Sequence, residues 1–83
     1  LGPTLRNLLA DHIESSLLEH LEAFPHIAPA ADELDRHMYA AFVAQGSVGA
    51  FEIWLRSPEP RDPDAATRAI MQSLPSWWFA PLN

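Results

Sequence analysis

The 83-residue sequence contains no cysteine and no lysine, and it has only three glycines. Without cysteine there is neither a disulfide nor a cysteine-built zinc site, and this composition is compatible with a reducing cytoplasm. The five basic residues, all arginines, stand against eleven acidic ones, so the net charge is −6. This segment therefore lacks the clustered cations that grip a phosphate backbone, which argues against direct nucleic-acid binding.

The sequence also lacks an apolar run long enough to cross a membrane, because Gln45 and Glu52 interrupt the longest one. Its start shows no secretory signal pattern. We therefore expect a cytoplasmic protein with no membrane partner. The length predicts one domain over residues 1–83, and because the first residue is Leu1 rather than Met, we expect an excerpt of a longer chain.

What the sequence does have is a strongly apolar run over residues 38–55, MYAAFVAQGSVGAFEIWL. On a helical wheel the only polar stripe in this run is narrow, and it consists of Gln45, Glu52 and Arg56. A helix that is apolar around most of its circumference is buried on several sides. Since a chain of this size buries too little surface to cover such a helix everywhere, the run predicts a partner surface.

Apolar residues at helical spacing predict an all-α fold of three antiparallel-packed helices, at about residues 4–23, 31–56 and 63–74. Thr4 and Asp62 are the predicted N-caps of the first and third helices, and Pro63 fits the first helical position of the third. Proline-rich connectors separate the helices at residues 25–29 and 57–63. We expect one more helical turn over residues 76–79.

Four histidines raise the possibility of a metal site. His12 and His20 are eight residues apart, about 12 Å along a helix, so one ion cannot bridge them. His26 lies between prolines, and Glu33 with His37 forms only an isolated i, i+4 pair. The serines lack the strand–turn–helix setting of a nucleophile, so we expect no metal, no cofactor and no enzymatic activity.

Two glycines lie in the middle of the apolar helix, Gly46 and Gly49, and each costs roughly 1 kcal/mol relative to alanine. The GSVG sequence resembles the loop with which KH domains clamp nucleic acid, but its position inside an apolar helix of an acidic chain excludes that function. Small residues instead predict the close approach of another helix. The aromatic cluster Trp77, Trp78 and Phe79 leaves two roles open, which are capping of the local core and anchoring of an interface.

The run FVAQGSVGAFEIWLRSPEPRDPDAATRAIMQSL resembles the last two helices of TetR-family transcriptional regulators. In that family a long helix with a small or glycine-rich middle ends in a Trp-Leu pair, followed by a short loop with Pro or Asp and a final helix. The resemblance covers the C-terminal half of the chain. It is carried by Gly46, Gly49, Trp54, Leu55, Pro58, Asp62 and Pro63.

The resemblance implies an all-α C-terminal regulatory domain whose last two helices form a four-helix bundle with those of a second subunit. It further implies a pocket for a small apolar or amphipathic effector, whose binding would release DNA from an N-terminal helix-turn-helix domain absent from these 83 residues. The intact protein would then be a homodimeric repressor. The residues expected at the dimer interface are Val43, Gly46, Ser47, Ala50, Trp54, Ile70 and Leu74.

Two alternative functions remain open. The first is a helical protein–protein adaptor whose apolar flank binds a different protein. The second is a small apolar-ligand carrier that uses the cleft between the first two helices. The candidate pocket residues in that cleft are Leu9, Ile13, Leu17, Met38 and Phe42.

Overall fold

The computed structural model describes residues 2–24 and 32–79. These residues form three helices, α1 (Pro3–Ala23), α2 (Glu33–Arg56) and α3 (Ala65–Ser73), followed by a 3-10 turn over Ser76–Phe79. No strand occurs in the described part of the chain, so the all-α prediction is confirmed. The expected connector at residues 25–29, with His26, and the expected helix start at residue 31 lie outside the described residues.

The start of α1 differs from the prediction by one residue. Gly2 is the N-cap and Pro3 is the first helical residue, so Thr4 lies inside the helix and is not its cap. The proline explains the shift, because its φ angle is already helical and its missing N–H has no partner to lose in the first turn. The amide of Arg6 donates to the Gly2 carbonyl at 2.9 Å, which closes that turn.

A capping box sets the start of α2. The Asp32 carboxylate accepts from the Asp35 amide at 2.8 Å, and the Asp35 carboxylate accepts in return from the Asp32 amide at 3.3 Å. Two backbone donors that the helix itself leaves unpaired are satisfied in this way. Together with Glu33, these acids lie at the positive end of the helix dipole, as the sequence predicts.

α3 begins at Ala65, two residues later than the prediction from the Asp62–Pro63 pair. Asp64 is the N-cap, and its own side chain makes no capping bond. The Asp62 carboxylate accepts from the Asp64 amide at 2.9 Å and the Asp62 carbonyl accepts from the Ala65 amide at 3.2 Å. Asp62 and Pro63 therefore form a turn that precedes the helix, because the aspartate binds the backbone two residues further on.

α1 and α2 pack antiparallel, and α3 packs on a different side of α2 without approaching α1. The direction follows from Arg6 near the start of α1, which donates to Glu52 near the end of α2 at 2.9 Å and to Gln45 at 2.9 Å. Arg6 is thus half-buried against α2. The polar stripe of α2 is the surface that receives this arginine.

The core between the helices is made largely of small side chains. In the described part of the chain seven apolar residues are buried, and four of them are alanines. Ala40 and Ala44 of α2 are fully covered and Ala10 of α1 is nearly so, which is consistent with a close approach of the two helices. The buried apolar residues are Ala10, Leu21, Ala40, Ala44, Val48, Ala66 and Trp78.

The larger core side chains gather at the end of the molecule where α1 finishes and the 3-10 turn returns. Leu21 is fully buried and packs with Trp78, which is 8% exposed. Trp77 lies beside Trp78, with ring centroids 5.9 Å apart, and beside Tyr39 at 5.4 Å. For these two tryptophans the structure therefore supports the core-capping role.

The chain is extended for its length. Its radius of gyration is 14.0 Å, and its principal dimensions are 42 × 28 × 14 Å. A compact domain of 83 residues has a radius of about 12 Å. Since α1 and α3 both contact α2 but not each other, a strip of α2 between them is left without a cover.

Candidate functional site

The uncovered strip of α2 carries large apolar side chains. Phe42 is 82% exposed and Ile53 is 66% exposed. Between them lie Gly46 and Gly49, so the spacing of the four residues along the chain is 4, 3 and 4. This spacing places them on one face of the helix and is the pattern of a helix–helix contact. We call Phe42, Gly46, Gly49 and Ile53 the exposed seam.

The two glycines of the exposed seam have open space where a side chain would begin. Apart from the neighbouring backbone of α2 itself, a Cβ atom built on Gly46 or on Gly49 would meet no atom within 4 Å. Neither glycine has a positive φ angle. Backbone conformation and packing inside this subunit therefore give no reason for glycine here, and the close approach of another helix stays a prediction.

A groove of about 230 Å³ runs between α2 and α3 beside the exposed seam. Its walls are mainly apolar. It is lined by Phe42, Val43, Gly46, Ser47, Ala50, Ala69, Ile70, Ser73, Leu74 and Pro75.

A second depression of about 380 Å³ continues the groove toward the end of α2. Ala50 and Ala69 belong to both, so the two form one apolar channel along α2 and α3. Alanines at these positions leave the space that larger side chains would fill. The second depression is lined by Ala50, Ile53, Trp54, Ser57, Ala65, Ala66 and Ala69.

Six of the seven residues expected at the dimer interface line the first groove, and Trp54 lines the second depression. Their exposure is uneven. Ser47 is only 7% exposed, and Val43 and Leu74 pack against the Leu21–Trp78 cluster. The structure thus brings the expected residues together on one side of the molecule, while the most exposed apolar atoms belong to Phe42 and Ile53.

The indole of Trp54 is engaged within its own subunit. Its Nε1 donates to the Asp62 carbonyl at 2.7 Å, and the Arg61 guanidinium lies over the ring at 5.3 Å from the centroid. Arg68 of α3 donates to the Asp62 carboxylate at 2.6 Å. These contacts tie the loop between the helices to both of them and so hold the walls of the second depression in place.

The same contacts shift two ionisation equilibria. The hydrogen bond from Arg68, followed by the one from the Asp64 amide, lowers the pKa of the Asp62 carboxyl below its ordinary value of 3.8. In return, the hydrogen bond to Asp62 raises the pKa of Arg68. Because these groups are exposed to solvent, the pair contributes little to the stability of the fold.

The five candidate pocket residues are spread over different environments. Met38 and Phe42 lie on the outer surface, where they form a shallow area with Ala41, Gln45 and Gly46. Leu17 packs inward against the Leu21–Trp78 cluster. The three depressions described above are lined by neither Leu9, Ile13 nor Leu17. The ligand cleft between α1 and α2 stays a prediction.

Sequence reasoning did not identify the large exposed side chains of this strip, because Phe42 is assigned there to a ligand pocket and Ile53 to no site. The signal for them is present in the sequence, since 42, 46, 49 and 53 follow a heptad. The wheel alone could not show that this stripe is the uncovered one, because that depends on α1 packing against the alanines of α2.

Within residues 2–24 and 32–79, no three His, Cys, Asp or Glu side chains are grouped so that they could hold a metal ion. None of the described helices has the length and apolar character needed to cross a membrane. Comparison with models of protein families, with curated proteins and with solved structures finds no match for this chain.

Proposed function

We propose that this chain is a self-association domain in which α2 and α3 of two copies form a four-helix contact. The observation that carries the proposal is the distribution of apolar side chains. Among the described residues, four of the seven buried apolar ones are alanines, whereas Phe42 and Ile53 are exposed beside glycines whose Cβ positions are open. A contiguous apolar surface of this kind marks an interaction site in a water-soluble domain.

In this proposal the chain serves as the dimerisation and effector-sensing domain of a TetR-like transcriptional repressor. The support is the resemblance of the C-terminal half, together with the order of elements, in which a long helix and a proline-rich loop precede a short last helix. The net charge of −6 argues against DNA contact by this segment, so the proposal gives that contact to the helix-turn-helix domain that the resemblance implies. The effector part of the proposal rests on the resemblance alone.

The shape of the groove between α2 and α3 favours a second subunit over a small-molecule ligand. The groove is partly open to solvent and continues into the second depression along α2 and α3. Sites for small molecules bury most of the surface of their ligand. In this proposal the groove therefore belongs to the dimer contact and not to the effector.

The test is sedimentation of the chain at micromolar concentration. We expect a dimer, and we expect Gly46→Leu to shift it toward monomer, because the added side chain keeps the helices apart. Ser15→Leu is the matched control, since it adds the same side chain on the exposed surface of α1 and should leave the dimer intact. A monomeric wild-type chain, or a Gly46→Leu variant that dimerises as well as the wild type, contradicts the proposal.

A further inference from the structure

We infer that the two α2 helices pair antiparallel, with the two-fold axis between Gly46 and Gly49, so that Phe42 of each copy lies against Ile53 of the partner subunit. This inference rests on the proposed self-association and specifies its geometry. Its partner is a second copy of this chain.

The first argument is the self-complementarity of the exposed seam. An isologous contact joins the same surface on both copies, so a residue i that meets j of the partner requires j to meet i. Phe42 lies four residues before Gly46, and Ile53 lies four residues after Gly49. An axis midway between the glycines therefore places glycine opposite glycine and a large apolar side chain opposite another at both ends.

The second argument is charge. The seven-residue spacing that relates Phe42 to Gly49 also places Asp35 and Arg56 on the same face, at opposite ends of α2. Antiparallel pairing puts Arg56 within about one helical turn of the partner's Asp35. Parallel pairing would put arginine beside arginine and aspartate beside aspartate, and like charges across an interface are unfavourable.

The third argument is area. α2 has 24 residues and α3 has 9, so they are about 36 and 14 Å long. With helices packed 8–10 Å apart, the face that they form covers on the order of 500 Å² in projection. Protruding side chains make the accessible surface of this face larger than its projection. Its area is therefore of the order of the roughly 800 Å² that a stable interface buries on each partner.

The antiparallel register also gives the Phe42 ring a place to pack. Opposite it lies the partner's Ile53, which borders the depression lined by Ala50 and Ala69 in each subunit. A shift by one helical turn would instead put the ring over the partner's Gly49, at the crossing point, where it would hold the two backbones apart. We therefore assign the register that brings the glycines together.

The absence of cysteine allows a direct test by disulfide cross-linking. F42C and I53C are prepared as separate single-cysteine variants, mixed in equal amounts, allowed to exchange and oxidised. We expect a cross-linked dimer in the mixture and none in either variant alone. Residues 42 and 53 are about 16 Å apart along the helix, so identical cysteines of an antiparallel pair are far beyond the 4.4–6.8 Å Cα separation of a disulfide.

Each other outcome has a distinct meaning. Cross-linking of F42C with itself overturns the inference, because it requires either a parallel pair or an antiparallel pair centred on residue 42. Cross-linking of F42C with G49C in place of I53C overturns the register. Sedimentation of the wild type separates these failures from failure of the proposed function. If the mixed variants still sediment as a dimer and do not cross-link, self-association stands and this geometry is wrong, whereas a monomeric wild type removes both. Because Phe42 and Ile53 are exposed, neither substitution should disturb the fold.

Discussion

Replacing both glycines of the exposed seam with alanine should stabilise the folded monomer and weaken its dimer. Gly46 and Gly49 lie inside a 24-residue helix, where glycine costs about 1 kcal/mol relative to alanine. Their Cβ positions are open within the subunit and their φ angles are not positive, so nothing offsets the gain. The double variant should therefore gain about 2 kcal/mol in free energy of unfolding when measured on the monomer.

The effect on association should have the opposite sign. If glycine faces glycine at the crossing point, four added methyl groups separate the two backbones and loosen the contact of Phe42 with the partner's Ile53. Packing against a neighbour is sensitive to a change of even one methylene. We expect the dissociation constant measured by sedimentation to rise in the same variant whose monomer is more resistant to urea.

The control is Gly2→Ala. Nothing lies within 4 Å of a Cβ at Gly2 either, but this glycine is the N-cap of α1 and not a helix-interior residue. Alanine is a poorer N-cap than glycine, so this variant should lose a few tenths of a kcal/mol or more and leave the dimer unchanged. The reasoning is refuted if the double variant unfolds at lower urea concentration as a monomer, or if its dimer is as tight as that of the wild type.

Three other predictions test the fold and the loop. Leu21→Ala should cost about 2–5 kcal/mol of stability in urea unfolding because Leu21 is fully buried, whereas Leu8→Ala, at a side chain that is 62% exposed, should cost little. A double-mutant cycle on Arg6 and Glu52, whose charged atoms are 2.9 Å apart, should give a favourable coupling of about 0.2–1 kcal/mol, and a coupling of the opposite sign would contradict the contact. The Asp62 carboxyl should titrate below 3.8 by NMR. Because the pKa of Asp62 is lower in the folded state than in the unfolded state, its ion pair contributes its full stabilisation at a pH above the unfolded pKa. This stabilisation is lost as the pH falls through the folded pKa. Asp62→Asn should therefore abolish the part of the pH dependence of stability that comes from Asp62.

The sequence predicts the helices well because their periodicity and prolines are local signals. The ends are less predictable. Thr4 and Asp62 are good capping residues, but the neighbouring proline at position 3 and the turn made by Asp62 itself move the helix starts by one or two residues. Such shifts depend on which of several adjacent polar groups the backbone uses.

The candidate site shows the limit of the helical wheel. Trp54 is apolar enough for an interface, yet its N–H is bonded to a loop carbonyl eight residues away, which depends on the path of the loop. Arg6 reaches Glu52 across 46 positions, and no periodicity indicates that pairing. Phe42 is exposed because α1 packs against the alanine side of α2, where the two backbones can approach most closely.

Burial of the exposed seam alone contributes too little free energy to hold two copies together, so α3 has to take part in the contact. Full burial of a Phe or Ile side chain contributes about 1.5–3 kcal/mol, so the four large side chains of a symmetric seam contribute on the order of 6–12 kcal/mol at most. Loss of translational and rotational freedom on association costs an estimated 4–15 kcal/mol. A dimer with a micromolar dissociation constant needs a net binding free energy of about 8 kcal/mol at 25 °C, so further apolar surface has to be buried.

The depression that borders Ile53 supplies this additional apolar surface, because its wall includes Ala65, Ala66 and Ala69 of α3. Replacing the exposed Ala69 with leucine should therefore weaken the dimer, although Ala69 does not belong to the exposed seam. An Ala69→Leu variant that dimerises as well as the wild type would show that the contact is confined to α2.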